Sequence, residues 1–308
     1  MKSEITRRLF LNHAALSMAG FATVKPVSIC CDDSSTDDAF LTVRNQLLRM
    51  VNRERADAGL KILKLDELAC RVAQEHAIDM AQGGFLSHWG TDGRKPYHRY
   101  SFAGAVDAIE ENDGAADHGE PVASDEAAGD LIGLHSSMFY ESPPHDGHRR
   151  TILNEYHTHV GFGMATRGMH VRLCELYVGK YVSIDPYRAS RPVGSSFMLS
   201  GRILDRFNLL KSIDVFYEPL PVSPDPLWLR QTRSYSLPDD RETLLPKLPD
   251  RTFYEDGSSG SIELLGPKFQ GRIPLSKKLP GIYTVVVWLQ QSRMSNSFPA
   301  TQICIRAE

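Results

Sequence analysis

The sequence is short of cysteine and has no excess of either charge. Its five cysteines among 308 residues form no CxxC pair, so the pattern predicts neither a disulfide framework nor a structural zinc site. The formal net charge is −3 and no basic patch stands out, which argues against a nucleic-acid partner.

Several well-known catalytic motifs are also missing. The sequence contains no HExxH, no GxSxG, no P-loop and no GxGxxG stretch. These motifs are typical of zincin proteases, α/β-hydrolases, P-loop NTPases and dinucleotide-binding enzymes, respectively, so none of these classes is predicted.

The N-terminal stretch is typical of an export signal. Arg7 and Arg8 precede a weakly apolar segment that is shorter than the roughly 20 residues needed to span a bilayer. We therefore interpret residues 1–30 as a twin-arginine-type signal and expect a periplasmic or extracellular protein. Cys30 lies where a lipoprotein cysteine would lie, but Ile29 before it argues against lipidation.

Apolar residues at helical spacing predict four helices in the first half of the chain. Asp66 is the expected N-cap of the second helix, and Gly83 and Gly84 are its expected stop. The helices are expected in residues 34–59, 64–84 and 125–141, and from Asp146 onward.

The rest of the chain favours strands and turns. Residues 160–165 and 170–184 are predicted as paired strands, and residues 85–119 as a turn-rich stretch. Beyond residue 195, short β-prone runs separated by Pro and Gly predict a small sandwich. The expected fold class is α+β, with a domain of helices and strands at 36–185 and an all-β domain at 195–308.

Five segments of the first half occur in an order that is similar to one known family. They are NRERADAGLKIL, DELACRVAQEHAIDMA, FLSHWGTDGRKPYHRYSFAG, the Glu-Asn of EEN, and SPPHDGHRRTILNEYHTHVGFGMA. Together they resemble bacterial members of the CAP superfamily (SCP-like; cysteine-rich secretory proteins, antigen 5, pathogenesis-related proteins) over residues 40–183. The cysteine pattern of the animal and plant members is absent. The resemblance implies an α-β-α sandwich with a central cleft.

The resemblance also implies which residues face that cleft. His88 and His148 match the two family histidines, and Glu111 matches the acid of the Glu-Asn motif. Ser142 occupies the position of a glutamate in animal members. Its neighbour Glu141 is expected to point elsewhere if the preceding helix continues through it.

Two histidines and a carboxylate suit several functions. Neutral imidazoles bind zinc well, and a carboxylate holds or activates water. The favoured hypothesis is a binding module whose cleft takes a small molecule, a lipid or a divalent metal such as zinc, with a cell-envelope partner on the β-rich part. The alternative is a metal-dependent hydrolase or peptidase, in which His88 and His148 hold the metal and Glu111 activates water. A third hypothesis makes the same residues a hydrogen-bond network that braces the cleft.

The other histidines are expected to have structural roles. His76 lies on the apolar face of the second predicted helix, so a hydrogen-bonded core histidine is predicted. Whether the acidic stretch 113–130 covers the cleft stays open at this stage.

Overall fold

The computed structural model describes residues 33–231, 233–291 and 296–308. The predicted export signal and the cysteine pair at its end lie outside these residues.

All four predicted helices are present, and their ends follow from local chemistry. The Asp66 carboxylate accepts a hydrogen bond from the backbone N–H of Ala69 at 2.7 Å, and Gly84 adopts the left-handed conformation after the last turn. Two short helices accompany the four. The helices are α1 (Asp33–Asp57), α2 (Glu67–Gly83), α3 (Pro96–Phe102), α4 (Ser124–Phe139), α5 (Gly147–Ile152) and α6 (Pro226–Leu229).

A four-stranded sheet lies at the centre of the first half. Its strands are β1 (Lys64–Leu65), β2 (Ala108–Asp117), β3 (His159–Arg167) and β4 (His170–Gly179), in the order β1-β3-β4-β2. The β1–β3 pair is parallel and the other pairs are antiparallel. The prediction of turns across 85–119 was wrong in part, because this stretch contains α3 and the whole of β2.

Alternation along β4 divides the core into two layers. Leu173 and Tyr177 pack with α1 and α4 on one face, whereas Cys174 and Leu176 pack with α2 on the other. Successive strand side chains point to opposite faces, so a strand buried on both sides produces the α-β-α sandwich that was predicted.

Two glycines let α2 lie directly on β3. A Cβ atom on Gly161 would come within 2.3 Å of the backbone of Cys70, and one on Gly163 within 2.1 Å of the backbone of Ala73. Side chains at these two positions would hold the helix away from the sheet.

The second half of the chain forms two sheets around a shared apolar core. One sheet contains β10 (Glu263–Leu265), β11 (Lys268–Pro274), β7 (Ser196–Ile203) and β5 (Val182–Ile184), in that order. The other contains β6 (Ser190–Arg191), β14 (Ile303–Ala307), β12 (Gly281–Gln291), β8 (Asn208–Glu218) and β9 (Arg241–Leu244), with β13 (Ser297–Pro299) also paired to β12.

The α-β-α layers and the β-rich layers are in contact. Ala108 donates its backbone N–H to the Ala300 carbonyl at 3.3 Å, and the backbone N–H of Cys304 donates to Ser101 Oγ at 2.8 Å. Residues 34–308 accordingly form one compact unit. The predicted α+β class is confirmed, whereas the domain boundaries stay predictions. None of the helices in the described part of the chain combines the length and apolar character of a membrane span.

Candidate functional site

The site lies at β2, the edge strand of the central sheet. Glu111 and Asp113 are two residues apart on this strand and therefore share one face. His88, in the loop after α2, places Nδ1 3.1 Å from Glu111 Oε1 and 2.9 Å from Asp113 Oδ2. Both carboxylates are buried, and the partly exposed His88 meets them from the side of the cleft.

Arg99 of α3 completes the ionic cluster. Its Nη2 donates to Glu111 Oε2 at 2.7 Å, and its Nη1 donates to the carbonyl oxygen of His88 at 2.8 Å. The two oxygens of Glu111 are therefore held by different cations, and the backbone that carries His88 is held as well.

The cluster changes the protonation of its members. Burial opposes a charge on His88, but Asp113 and Glu111 outweigh it and raise the pKa of His88 to about 10. Burial alone would raise the pKa of Asp113, but His76 and His88 hold it well below its usual range. At neutral pH His88 is a cation, and Asp113 is an anion.

His148 meets a different carboxylate from the one that the sequence suggested. Because α4 ends at Phe139, Glu141 is free to turn back toward α5, where its Oε1 lies 2.5 Å from His148 Nδ1. Its Oε2 accepts the backbone N–H of His148 at 3.0 Å. Ser142 is exposed and does not line the cavities described next. Glu141 was expected to point elsewhere only if the helix continued through it, and α4 ends two residues earlier.

Two cavities next to these groups form the cleft. They have volumes of about 300 and 330 Å³ and share His88, His148 and Ser234 as lining residues. Asp113 lines the first cavity, and Glu111 and Glu141 line the second. The structure thus brings His88, Glu111 and His148 to one cleft.

The cover of this cleft comes from the second half of the chain. Tyr235 Oη accepts the backbone N–H of Glu111 at 3.1 Å, and its ring contacts the His88 imidazole edge-on with a centroid distance of 4.8 Å. The acidic stretch 113–130 does not take this place, because its first residues belong to β2 and its last to α4.

Residues 48–181 match the model of the cysteine-rich secretory protein family, CAP. This part of the chain is a CAP domain. The match covers less than half of the chain, so the β-rich part lies beyond it. No curated protein sequence gives a significant match.

Solved structures with similarity to the CAP domain include two bacterial proteins. One is an extracellular protein with an SCP domain from Bacillus anthracis str. Ames, with 23% identity over 45% of this chain and 41% of that chain, and a TM-score of 0.34. The other is an outer surface protein from Borrelia burgdorferi, with 16% identity over 45% of this chain and 92% of that chain, and the same TM-score.

The residues of the CAP cleft fit a metal ion only in part. In their favour, His88 and His148 each use Nδ1 for a carboxylate, an arrangement that is typical of metal-binding histidines. The proton on His88 argues against metal binding, because a metal ion needs the neutral imidazole as its ligand.

A second group of potential ligands in the CAP domain lies deeper. His76, Glu111 and Asp113 are the one set of three or more such residues found close together within the described ranges. However, His76 Nε2 lies 2.8 Å from the Ser87 carbonyl. It must donate its proton there and is not free to bind a metal. The prediction that His76 is a hydrogen-bonded core histidine is confirmed.

Sequence reasoning missed four residues of the CAP cleft. Asp113 could have been found from its spacing to Glu111, had β2 been recognised as a strand. No local signal points to Arg99, Arg233 or Tyr235, because a fold must first bring them to the cleft.

Proposed function

We propose that this protein is exported and that the cleft of its CAP domain binds a small polar ligand without transforming it. Export rests on the arginine pair and the short apolar segment at the N-terminus. A role for the β-rich part in holding the protein at a cell-envelope component is a further proposal.

The observation that carries ligand binding is the state of Asp113. Its carboxylate is buried and lines the first cavity. Its Oδ2 forms an ion pair with His88 Nδ1 at 2.9 Å, but this contact lacks hydrogen-bond geometry, and neither oxygen has a hydrogen-bond partner among the described residues. A buried acceptor without a donor is costly, and a donor group on a ligand would remove that cost. Because His88, Asp113, His148 and Arg233 line the first cavity, a small polar molecule fits better than a lipid.

The hydrolase alternative has less support from the same geometry. A general base must accept a proton from water. Glu111 is buried, and its two oxygens are already bound by His88 and Arg99. Its carboxylate therefore acts as a counter-ion that positions these two cations. This role also agrees with the third hypothesis, a hydrogen-bond network that braces the cleft.

Zinc binding is the second candidate. The ion would be held by Nε2 of His88 and of His148, since both Nδ1 atoms are bonded to carboxylates. Zinc would supply a Lewis acid at the cleft. The two carboxylates keep the imidazole planes in place.

A thermal-unfolding screen separates these possibilities. We expect at least one of a panel of sugars, sugar acids and amino acids to raise the Tm of the protein by several degrees, because saturating ligand adds about 2.7 kcal/mol at a hundred times its Kd. The shift should vanish in Asp113→Asn and persist in Asp239→Asn, a matched change at an exposed residue. The compound should be recovered chemically unchanged.

Three results would contradict the proposal. They are a panel without any shift, a shift that Asp113→Asn leaves intact, and conversion of the bound compound. A shift with zinc alone that is lost when His88 and His148 are both changed to Ala would favour the second candidate.

A further inference from the structure

A segment from the β-rich half runs across the CAP domain and brings a cation to the cleft. We call residues 219–231 and 233–240 the covering segment. Trp228 of this segment contacts Trp89 edge-on at a centroid distance of 5.2 Å, and Leu229 is buried with the residues of α2. At Gly93, whose φ is +79°, a Cβ atom would come within 2.2 Å of the Val222 carbonyl oxygen. The segment is therefore closely packed where it approaches the site.

Arg233 is held in the covering segment with its charge unopposed. Its guanidinium lies over the Trp228 ring at 4.3 Å, and its Nη2 donates to Gln231 Oε1 at 2.5 Å. The Arg233 side chain is half-buried, and its Nη1 atom is buried without a hydrogen-bond partner among the described residues. No ion pair joins it to a carboxylate of those residues. Buried charges in proteins are normally paired, so this guanidinium nitrogen is available for an anion.

Arg233 and Asp113 line the same cavity, where Arg233 lacks an anion and Asp113 lacks hydrogen-bond donors. The cavity of about 300 Å³ has the Arg233 guanidinium on the covering segment and the Asp113 carboxylate on β2. Asp113 needs hydrogen-bond donors, since both of its buried oxygens lack them within the described residues. This volume is at the low end of ligand pockets, so the occupant is a small molecule.

We propose that Arg233 binds a carboxylate of the ligand while Asp113 accepts a hydrogen bond from a hydroxyl or ammonium group of the same molecule. The ligand is therefore a small hydroxy- or amino-carboxylate. This inference rests on the proposed binding function and names its ligand class. A neutral sugar would leave the guanidinium unpaired, and a simple anion would meet the negative Asp113 without offering it a donor.

Isothermal titration of the full chain tests this class with matched probes. D-glucuronate and L-serine carry the carboxylate, whereas D-glucose and L-serinamide are close analogues without it. We expect at least one of the two carboxylates to bind at least tenfold more tightly than its analogue. A charge-assisted hydrogen bond contributes about 1.5–3 kcal/mol, and 1.4 kcal/mol corresponds to a factor of ten.

Variants assign the preference to Arg233. Arg233→Met should reduce binding of the carboxylate at least tenfold and remove the preference over its analogue. Arg230→Met, at an exposed arginine of the same segment, should bind as the unchanged protein does. Arg233→Lys keeps the charge without the planar fork and should give intermediate affinity. Circular dichroism establishes that each variant is folded.

The outcomes separate this inference from the proposed function. If the neutral analogue binds as well as the carboxylate, and Asp113→Asn still abolishes binding, the ligand class is wrong and the binding function stands. Unchanged affinity in Arg233→Met also overturns the role of Arg233. Absence of binding by all four probes overturns the ligand class, and absence of any shift in the wider panel overturns the binding function.

Discussion

A histidine next to a carboxylate is a common arrangement in this protein, so this contact alone does not identify a functional site. Most histidines of the described residues form such a pair. The pairs include His98 with Glu218, His118 with Asp130, His135 with Glu175, His157 with Glu110 and His170 with Asp117. What distinguishes His88 and His148 is the cleft in front of them, which the other pairs do not line.

His135 shows what such a pair does for stability. It is fully buried, with Nδ1 2.7 Å from Glu175 Oε1 and Nε2 3.0 Å from Glu54 Oε2. Burial lowers its pKa, but Glu175 and Glu54 outweigh this and raise the pKa to about 10. Because the folded pKa lies above the unfolded value of about 6.5, the stabilisation is complete below that value. It is lost as the pH rises through about 10.

His135→Gln is therefore expected to destabilise the protein most at low pH. Breaking a buried ion pair costs roughly 3–5 kcal/mol, so we expect a loss of that order at pH 6 and a smaller loss at pH 10, measured by urea unfolding. His118→Gln, in a partly exposed pair, should cost less than about 1 kcal/mol at both. An equal loss for His135→Gln at pH 6 and pH 10 would contradict the assignment.

At the scale of elements, local patterns predicted the long helices and the short α5, but they missed the short helices α3 and α6. Helices α1, α2 and α4 have apolar residues at helical spacing over many turns, and α2 also has a side-chain cap. Strand β2 reads AIEENDGAAD, a poor strand sequence by propensity. It is a strand because ten of its residues pair with β4, a long-range condition that no local window contains.

The contact between α2 and β3 leads to a prediction about Gly163. A methyl group there would meet the backbone of Ala73 at 2.1 Å, and backbone cannot move aside as a flexible side chain can. We expect Gly163→Ala to lower the free energy of unfolding by at least about 2 kcal/mol, since overpacking costs typically 1–3 kcal/mol.

Gly133→Ala is the matched control for this change. Gly133 lies within α4, and apart from the backbone of its own helix no atom is within 4 Å of the position that its Cβ would take. This substitution should stabilise the protein slightly, by about 0.4–1 kcal/mol. If the two variants unfold at the same urea concentration, close packing is not the reason for a glycine at 163.

For the whole molecule, the main question is whether the CAP domain and the β-rich part unfold together. The apolar cluster around α2 includes Leu229, Ile282 and Cys304 from the second half of the chain. Backbone hydrogen bonds join Ala108 to Ala300 and Gln302 to Val106 at 3.3 Å each. Separating the two halves would expose these groups to water.

Calorimetry of the full chain tests this coupling. We expect a single unfolding transition whose calorimetric and van't Hoff enthalpies agree, because neither half keeps its core when the other unfolds. Two resolved transitions would instead favour the independent domains predicted at 36–185 and 195–308.

The sequence by itself determined the α+β class and the caps of α2, and its resemblance to the CAP family pointed to three of the groups that line the cleft: His88, Glu111 and His148. These features depend on local periodicity or on motifs within short windows. Only the tertiary structure decided that Glu141 rather than Ser142 meets His148, because the helix before them ends at Phe139.

Tertiary structure also decided which distant residues complete the site. Asp113 faces the cleft because β2 pairs with β4, and Arg233 lies there because the covering segment packs on Trp89 and Gly93. A local pattern shows which face of a helix or strand is buried. It does not show which other helix, strand or segment packs against that face. That choice depends on packing and hydrogen bonds between residues that are far apart in the chain.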